Sequence, residues 1–183
     1  LESGRIVISR AARQAEFPAQ FQLIAAMNPC PCGYLGDPSG RCHCNIEQID
    51  RDRRKFSGPL LDRIDMHVEV PRVAYNELQG PPGEASAAVR LRVTGARERQ
   101  LRRANTLNSR LENRLIEQFC SLNNSDRLLL QHAMERLQLS ARAYHRILKV
   151  ARTIADLDDC EAIASAHLGE AIGYRQLDRN HVY

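Results

Sequence analysis

Residues 21–70 read FQLIAAMNPCPCGYLGDPSGRCHCNIEQIDRDRRKFSGPLLDRIDMHVEV, and the patterns in this stretch decide the fold of the first part of the chain. Residues 21–27 form a near-continuous apolar run, which is typical of a strand covered on both faces of a parallel sheet. Pro29 ends this predicted strand because proline offers no ladder donor. Ligands of open α/β sheets bind beyond the carboxyl ends of strands. Asn28 is therefore either a site residue or a turn residue before a proline.

Four cysteines follow within 15 residues, as two Cys-x-Cys pairs: Cys30, Cys32, Cys42 and Cys44. The turn signal Asp-Pro-Ser-Gly at residues 37–40 would fold the two pairs face to face. Four thiolates at one point match the tetrahedral ligand set of zinc, although the usual spacing is Cys-x2–4-Cys. Zinc, disulfide and free-thiol interpretations therefore all stay open. His43, between two of the cysteines, is expected to point elsewhere.

The rest of the stretch alternates between helix and strand patterns. Residues 46–56 predict a helix whose basic cluster (Arg51, Arg53, Arg54 and Lys55) is interpreted as a solvated face. Ser-Gly-Pro at residues 57–59 breaks that helix. Residues 60–63 start a short helix, and residues 66–70 predict a strand that ends at Pro71.

The flanks predict a hairpin before this stretch and helices after it. Residues 2–13 contain a short apolar piece that is typical of one hairpin arm. Gly-Pro-Pro-Gly at residues 80–83 marks a linker. Helical patterns follow over residues 87–103 and 107–119. Ser125 and Ser140 are expected to cap the next two helices, and Ser165 to open the last. The expected fold is an α/β part followed by a small helical bundle.

Composition narrows the functional classes. The 183 residues carry a net charge of +4, and only 2 of the 26 basic residues are lysine. Arginine suits bidentate contacts with phosphate, which favours a nucleotide or nucleic-acid partner. The 22 interspersed acidic residues keep the net charge too small to prove either partner. No apolar run approaches the roughly 20 residues of a membrane span. The clustered cysteines favour a reducing cytoplasm, and Cys120 and Cys160 are expected to be inert because they fall among apolar helix positions.

The chain lacks the parts of an ATPase that hold the phosphates. P-loop enzymes need the motif GxxxxGK[ST] and an acidic magnesium-binding strand end. Neither Lys55 nor Lys149 follows a glycine, and no apolar strand ends in Asp-Glu. We therefore expect no ATP hydrolysis from this chain alone. The absence of an initiating methionine makes the start look like a cut inside a larger protein.

Three stretches resemble one family over most of the chain: AAMNPCPCG at residues 25–33, SGPLLDRIDMHVEVPRV at residues 57–73 and LSARAYHRILKVARTIADL at residues 139–157. They are similar to the magnesium-chelatase-like branch of the AAA+ ATPases, in particular the competence-associated ComM (YifB-like) group. The resemblance implies the C-terminal half of an AAA+ α/β core at residues 1–73, with the cysteine-rich loop at residues 30–44. It further implies a linker at residues 74–85 and an α-helical lid domain of the magnesium chelatase C-terminal type at residues 86–183.

The same resemblance implies an ATP- and Mg²⁺-dependent hexameric ring, a branch-migration helicase that acts on DNA during transformation and recombination. Asn28 matches the family's sensor 1, Arg63 its arginine finger and Arg142 its sensor 2. The hairpin would project toward the pore of the ring, which makes Arg5, Arg10 and Arg13 candidate DNA contacts. For these three the alternative interpretation is a solvated edge strand.

Arg142 also has an argument that is independent of the family. It falls in the first turn of a helix that Ser140 is expected to cap, where the helix dipole disfavours a cation and free amides can bind an anion. The alternative is a surface arginine paired with an acid on another helix. Two rival functions remain for the chain: a non-enzymatic, zinc-stabilised helical module that binds nucleic acid, and a magnesium-chelatase-type metal-insertion subunit.

Overall fold

The computed structural model of the chain describes residues 4–10, 13–56, 58–73 and 75–175. The chain divides into two compact units, Leu1–Arg63 and Ile64–Tyr183. The domain limits expected from the sequence, with a linker at residues 74–85, stay a prediction.

The N-terminal unit begins with the predicted hairpin. Strands β1 (Arg5–Arg10) and β2 (Arg13–Pro18) pair antiparallel, so that Ile6 lies opposite Phe17 and Arg10 lies opposite Arg13. Every described residue of the two strands is exposed, because this two-stranded sheet packs on no second layer within the described part of the unit.

The two further strands expected from the sequence are wrong for this structure. Residues 21–28 and 66–73 are not in strands, and their apolar side chains stay in solvent, with Ile24 85% and Val70 83% exposed. A strand needs a neighbouring ladder to satisfy its backbone donors and acceptors, and among the described residues the hairpin is the whole of the sheet. The α/β part of the predicted fold class is therefore present here only as the hairpin, the loops and two short helices.

Two helices complete the N-terminal unit. Helix α1 (Ile46–Arg53) confirms the helix expected at residues 46–56, and its N-terminus is capped by a reciprocal capping box. In that box the Gln48 backbone N–H donates to Asn45 Oδ1 at 2.8 Å, and the Asn45 N–H donates to Gln48 Oε1 at 3.0 Å. A short helix is present near the place expected, but α2 (Gly58–Leu61) begins two residues earlier than the predicted start at residue 60 and ends before Arg63.

The C-terminal unit is helical, as the sequence predicts. It contains α3 (Tyr75–Leu78), α4 (Ser86–Ala104), a 3-10 turn (Asn108–Arg110), α5 (Asn113–Phe119), α6 (Asn124–Leu137), α7 (Ala141–Leu157) and α8 (Ser165–Gly173). Ser140 caps α7 as expected, with its Oγ 3.2 Å from the Ala143 backbone nitrogen. Ser125 does not cap α6. Asn123 does, because its Oδ1 lies 2.8 Å from the Asp126 nitrogen, and Ser125 Oγ instead donates to that same oxygen.

Helix α7 is the centre of the core. Its buried apolar residues meet those of α5, α6 and α8 and of the loops that join them. The buried stripe of α7 includes Ala151 and Ala155, which are fully buried, whereas Leu157 near the end of the helix is 39% exposed. Small side chains at four-residue spacing allow the neighbouring helices to approach closely. No helix in the described ranges is long and apolar enough to cross a membrane.

A charged network lies inside this unit beside the apolar core. Asp156 is 1% exposed and receives both guanidinium nitrogens of Arg103, at 2.6 and 2.7 Å. Asn108 Nδ2 donates to the same carboxylate at 2.8 Å, and Arg152, also 1% exposed, lies 3.1 Å from it. Because each charge has a partner, these groups can stay buried between α4, the 3-10 turn and α7.

Candidate functional site

The four clustered cysteines meet at one point. The Sγ atoms of Cys30 and Cys32 are 3.3 Å apart, those of Cys30 and Cys42 3.8 Å, and those of Cys32 and Cys42 3.6 Å. Cys44 joins them, and all four sulfurs lie within 4.8 Å of one another. Four sulfurs about 2.3 Å from a zinc ion stand roughly 3.8 Å apart at the corners of a tetrahedron. The donor set and the spacing therefore fit zinc, whereas no pair is bonded as a disulfide.

Local turns explain how so tight a spacing can converge. The Gly33 N–H donates to the Cys30 carbonyl at 2.9 Å, which closes a turn over the first Cys-x-Cys pair. Gly33 has φ +77°, a conformation that a residue with a Cβ rarely adopts. The predicted turn at residues 37–40 is confirmed by the bond from the Gly40 N–H to the Asp37 carbonyl at 3.2 Å, and this turn returns the second pair to the first.

The backbone of the loop also prepares one thiol for a cation. The Tyr34 N–H and the neighbouring Cys30 thiol donate to Cys32, and together they lower the pKa of Cys32 to about 6. Cys44 accepts a backbone N–H from Cys32, which lowers its pKa, but the thiolate of Cys32 and burial outweigh this and raise the pKa of Cys44 to about 12. At these distances one thiolate disfavours the ionisation of the next thiol. A cation shared by the four sulfurs would stabilise more than one negative charge among them.

The two remaining cysteines differ from each other. Cys120 is 3% exposed, and burial raises the pKa of its thiol to about 11, so the apolar environment expected for it is confirmed. Cys160 is exposed, because it follows the end of α7 instead of lying within a helix, and the expected apolar environment is wrong for it.

Asn28 lies at the start of the cysteine loop. It is exposed, and its Cγ is 3.9 Å from the position that a Cβ on Gly33 would occupy. Its amide is therefore placed against the first turn of the loop. The described segment before it, residues 21–27, is in no strand, so the strand end on which the sensor 1 assignment depends is absent from this structure.

Arg63 follows α2 and is half-buried. Its backbone N–H bonds the Leu60 carbonyl at 3.0 Å, and its Nη1 donates to the Pro59 carbonyl at 2.9 Å. The guanidinium is thus folded back onto the helix that precedes it. An arginine finger in this position would have to exchange the Pro59 contact for a phosphate.

Arg142 lies in the first turn of α7, two residues after the Ser140 cap, and it is exposed. Across the part of the chain that the structure describes, its guanidinium has no hydrogen bond or ion pair, so the acid expected by the alternative interpretation is not found there. Arg142 belongs to the C-terminal unit, whereas Asn28 and Arg63 belong to the N-terminal one.

The three hairpin arginines are not equivalent. Arg5 Nη1 lies 3.0 Å from Glu16 Oε1, and both side chains are more than half exposed. Arg10 and Arg13 instead lie directly opposite each other, as the last pair of the two strands. Within the described ranges neither of them has an acidic partner. Like charges that face each other across a strand pair destabilise it, so this end of the hairpin favours an anion.

Two further residues were not found by sequence reasoning. Arg146, on α7, donates to the carboxylate of Asp65, although 81 positions separate them. Asp65 lies within the LLDRID motif, but its partner has no signal in a single sequence, because only the fold brings the two segments together.

Comparison with known proteins identifies chains that are related to this one in sequence. The family model described as "Magnesium chelatase, subunit ChlI C-terminal" matches residues 83–175, and the model described as "Magnesium chelatase, subunit ChlI" matches residues 1–78. The chain is 49% identical over 181 residues to the competence protein ComM of Haemophilus influenzae, covering 98% of this chain and 35% of that protein.

Two proteins named YifB are similar over the same 181 residues, and both are described as uncharacterized. Identity is 46% with YifB of Escherichia coli and 45% with YifB of Salmonella typhimurium, with 98% of this chain and 35% of each relative covered. The chain therefore spans 35% of the length of the curated relatives it matches. The resemblance stated from the three sequence motifs is confirmed.

Proposed function

Because the chain belongs to the magnesium chelatase ChlI family and is similar over 98% of its length to ComM and YifB proteins, we propose that it is part of a ring-forming AAA+ ATPase that moves on DNA. The longer protein would bind ATP and Mg²⁺, assemble as a hexamer in the cytoplasm and drive branch migration during recombination of incoming DNA. In this proposal Asn28 is sensor 1, Arg63 the arginine finger and Arg142 sensor 2, on the helical domain that acts as the lid.

The first turn of α7 is the observation that carries the proposal. The helix dipole makes this end partly positive, and Arg142 adds a full positive charge that no described acid neutralises. A cation held beside free helix amides is unfavourable unless an anion binds there, and a phosphate group fits both partners. ATP supplies that phosphate when bound, and it also supplies the bond that is hydrolysed.

Arg63 would act on a different nucleotide. A finger acts in trans when it reaches the phosphate held by a neighbouring subunit and stabilises the charge that develops there. One of its present hydrogen bonds is to the neutral carbonyl of Pro59. A phosphate is a stronger partner for a guanidinium than a carbonyl is, because the hydrogen bonds are then charge-assisted on both sides.

The trans role can be tested by mixing subunits of the full-length protein. One subunit carries Arg63→Ala, and the other carries a replacement of the phosphate-binding lysine in its own P-loop. Each variant alone should hydrolyse ATP on the order of 10³-fold more slowly, as expected for loss of a finger or of the cradle. Mixed rings contain interfaces with an intact cradle and an intact finger, so partial activity should return.

Arg142→Ala is the matched control in the same experiment. Because Arg142 would contact the nucleotide of its own subunit, mixing it with the lysine variant leaves every active interface incomplete, and little activity should return. Complementation by Arg142→Ala but not by Arg63→Ala would reverse the two assignments. An intact full-length protein that does not hydrolyse ATP would remove the proposal altogether.

We also propose that the Arg10–Arg13 end of the strand pair contacts the DNA backbone. Each phosphate contact that is lost should reduce the slope of log affinity against log salt concentration by about 0.9 on duplex DNA. The double variant Arg10→Ala/Arg13→Ala should therefore lower the slope by about 2. Arg5→Ala is the control, since Glu16 already neutralises that arginine, and an equal loss from it would contradict the assignment.

The sulfur cluster supports one rival function. A structural zinc at Cys30, Cys32, Cys42 and Cys44 would hold the loop without the rest of an ATPase, as in a non-enzymatic module that binds nucleic acid. The two proposals separate on the full-length protein, since a binding module retains its DNA affinity unchanged by ATP and hydrolyses none. Metal insertion into a porphyrin is the lesser enzymatic alternative, because nothing in the described residues forms a porphyrin site.

A further inference from the structure

The four residues that follow Arg63 are attached to the helical unit at three places. Arg146 of α7 donates to the Asp65 carboxylate, and Arg175, at the end of α8, donates to the Ile64 carbonyl. The His67 backbone N–H donates to the Tyr174 carbonyl at 2.9 Å. Residues 64–67 thus contact α7 and the two residues that follow α8, even though they carry no regular structure.

These contacts differ in how easily they can be changed. Arg175 is fully buried, so loss of its carbonyl partner would leave a buried guanidinium short of an acceptor. The Arg146 side chain is 15% exposed and that of Asp65 is 58% exposed. This ion pair therefore joins a largely covered cation to a carboxylate at the surface, and the carboxylate can be changed without disturbing the core.

The position of the ion pair on α7 links the two candidate arginines. Arg146 lies four residues after Arg142, which places both on the same face of the helix, one turn apart. Asp65 lies two residues after Arg63 in the chain. If a phosphate bound at Arg142 moves α7, the ion pair between Arg146 and Asp65 would move Asp65 with the helix. Because only two peptide units separate Asp65 from Arg63, the position of Arg63 would change as well.

We propose that Asp65 and Arg146 are positioning residues that tie the arginine finger of a subunit to its own lid helix. This inference rests on the proposed function, and it adds to it a route between two nucleotide sites. The nucleotide held by one subunit would set where that subunit's finger stands in the site of its neighbour. Neither Asp65 nor Arg146 touches the nucleotide in this scheme.

The test uses full-length protein and the mixed rings described above, with Asp65→Asn added to one subunit type at a time. Added to the subunit that donates the finger, whose own P-loop lysine is replaced, Asp65→Asn should lower the restored kcat by about tenfold, with KM changed less than about twofold. Added to the Arg63→Ala subunit, which supplies only the cradle, it should change kcat by less than about twofold.

Two further variants separate positioning from folding. The charge exchange Asp65→Arg/Arg146→Asp should recover most of the kcat that either single reversal loses, because the pair is rebuilt with the charges interchanged. Arg92→Gln removes an exposed ion pair between Arg92 of α4 and Glu84, which precedes that helix. Neither residue contacts residues 64–67 in the described part of the chain, so this variant should leave kcat unchanged in both arms.

Each outcome decides the question. A loss in the finger-donating arm alone, with recovery in the exchanged pair, supports the inference. An equal loss in both arms, a loss in the cradle arm alone, or no loss in either would overturn it while the finger assignment stands. If rings with Asp65 intact recover no activity on mixing, the finger assignment itself fails and the positioning role falls with it.

Discussion

Asp156 offers the sharpest test of how the helical unit is held together. The change is Asp156→Ala, which removes a carboxylate that is 1% exposed and accepts from Arg103 and Asn108. Arg152 is equally buried, and it retains only the carbonyls of Cys160 and Glu161 after the change. Breaking a buried ion pair on one side costs about 3–5 kcal/mol, because a charge stays in the interior without its counterion.

That loss should be plain in a thermal or urea unfolding curve. A domain of this size loses roughly 4 °C or more in Tm for each kcal/mol, so Tm should fall by about 12–20 °C. The matched control is Glu84→Ala, which breaks the exposed ion pair with Arg92 and should cost about 0–1 kcal/mol. Equal, small effects from the two variants would show that the buried network contributes little and would refute the reasoning.

Acid titration gives a second view of the same carboxylate. Burial by itself raises the pKa of Asp156, but the hydrogen bonds from Arg103 and Asn108 outweigh it, and the folded pKa lies below its usual range. A group whose folded pKa is lowered stabilises the protein above its unfolded pKa, and this contribution is lost as pH falls through the folded value. The wild-type chain should therefore lose more stability on acidification than Asp156→Asn does, and parallel curves for the two proteins would contradict this account.

Four further outcomes are expected of the chain itself. Elemental analysis of untagged protein should find one zinc per chain, lost in Cys42→Ser and retained in Cys160→Ser; equal content in the two variants would reject the site. A thiol reagent applied after zinc loading should modify Cys160 quickly and Cys120 only on unfolding, and the reverse order would contradict their burial. The purified chain should show no ATPase activity, because it has no P-loop motif. ATP hydrolysis that copurifies with it through further steps would contradict that expectation. Limited proteolysis should cut residues 19–28 before any part of α4 to α8, because those residues are exposed and have no ladder, whereas earlier loss of the helices would refute the packing described for them.

Much of this molecule is determined by local sequence. The turn at residues 37–40, the capping box of α1, the Ser140 cap and the apolar periodicity of the later helices depend on residues a few positions apart, and all are present in the structure. The convergence of the four cysteines is local in the same sense, since two turns within 15 residues bring the sulfurs together. Family motifs add residue roles, and these stay proposals for Asn28, Arg63 and Arg142.

Other features could be decided only by tertiary contacts. The apolar run at residues 21–27 has the composition of a buried strand, but a strand forms only beside a partner, and its partner is not set by its own residues. The buried charges of α7 follow the same rule. By sequence alone Arg152 and Asp156 are typical of solvated residues, and only the fold brings Arg103, 53 positions away, into contact with the Asp156 carboxylate. The Asp65–Arg146 pair spans 81 positions. Periodicity and propensity describe a residue's near neighbours along the chain, whereas burial and ion pairing depend on which distant segments the fold brings into contact.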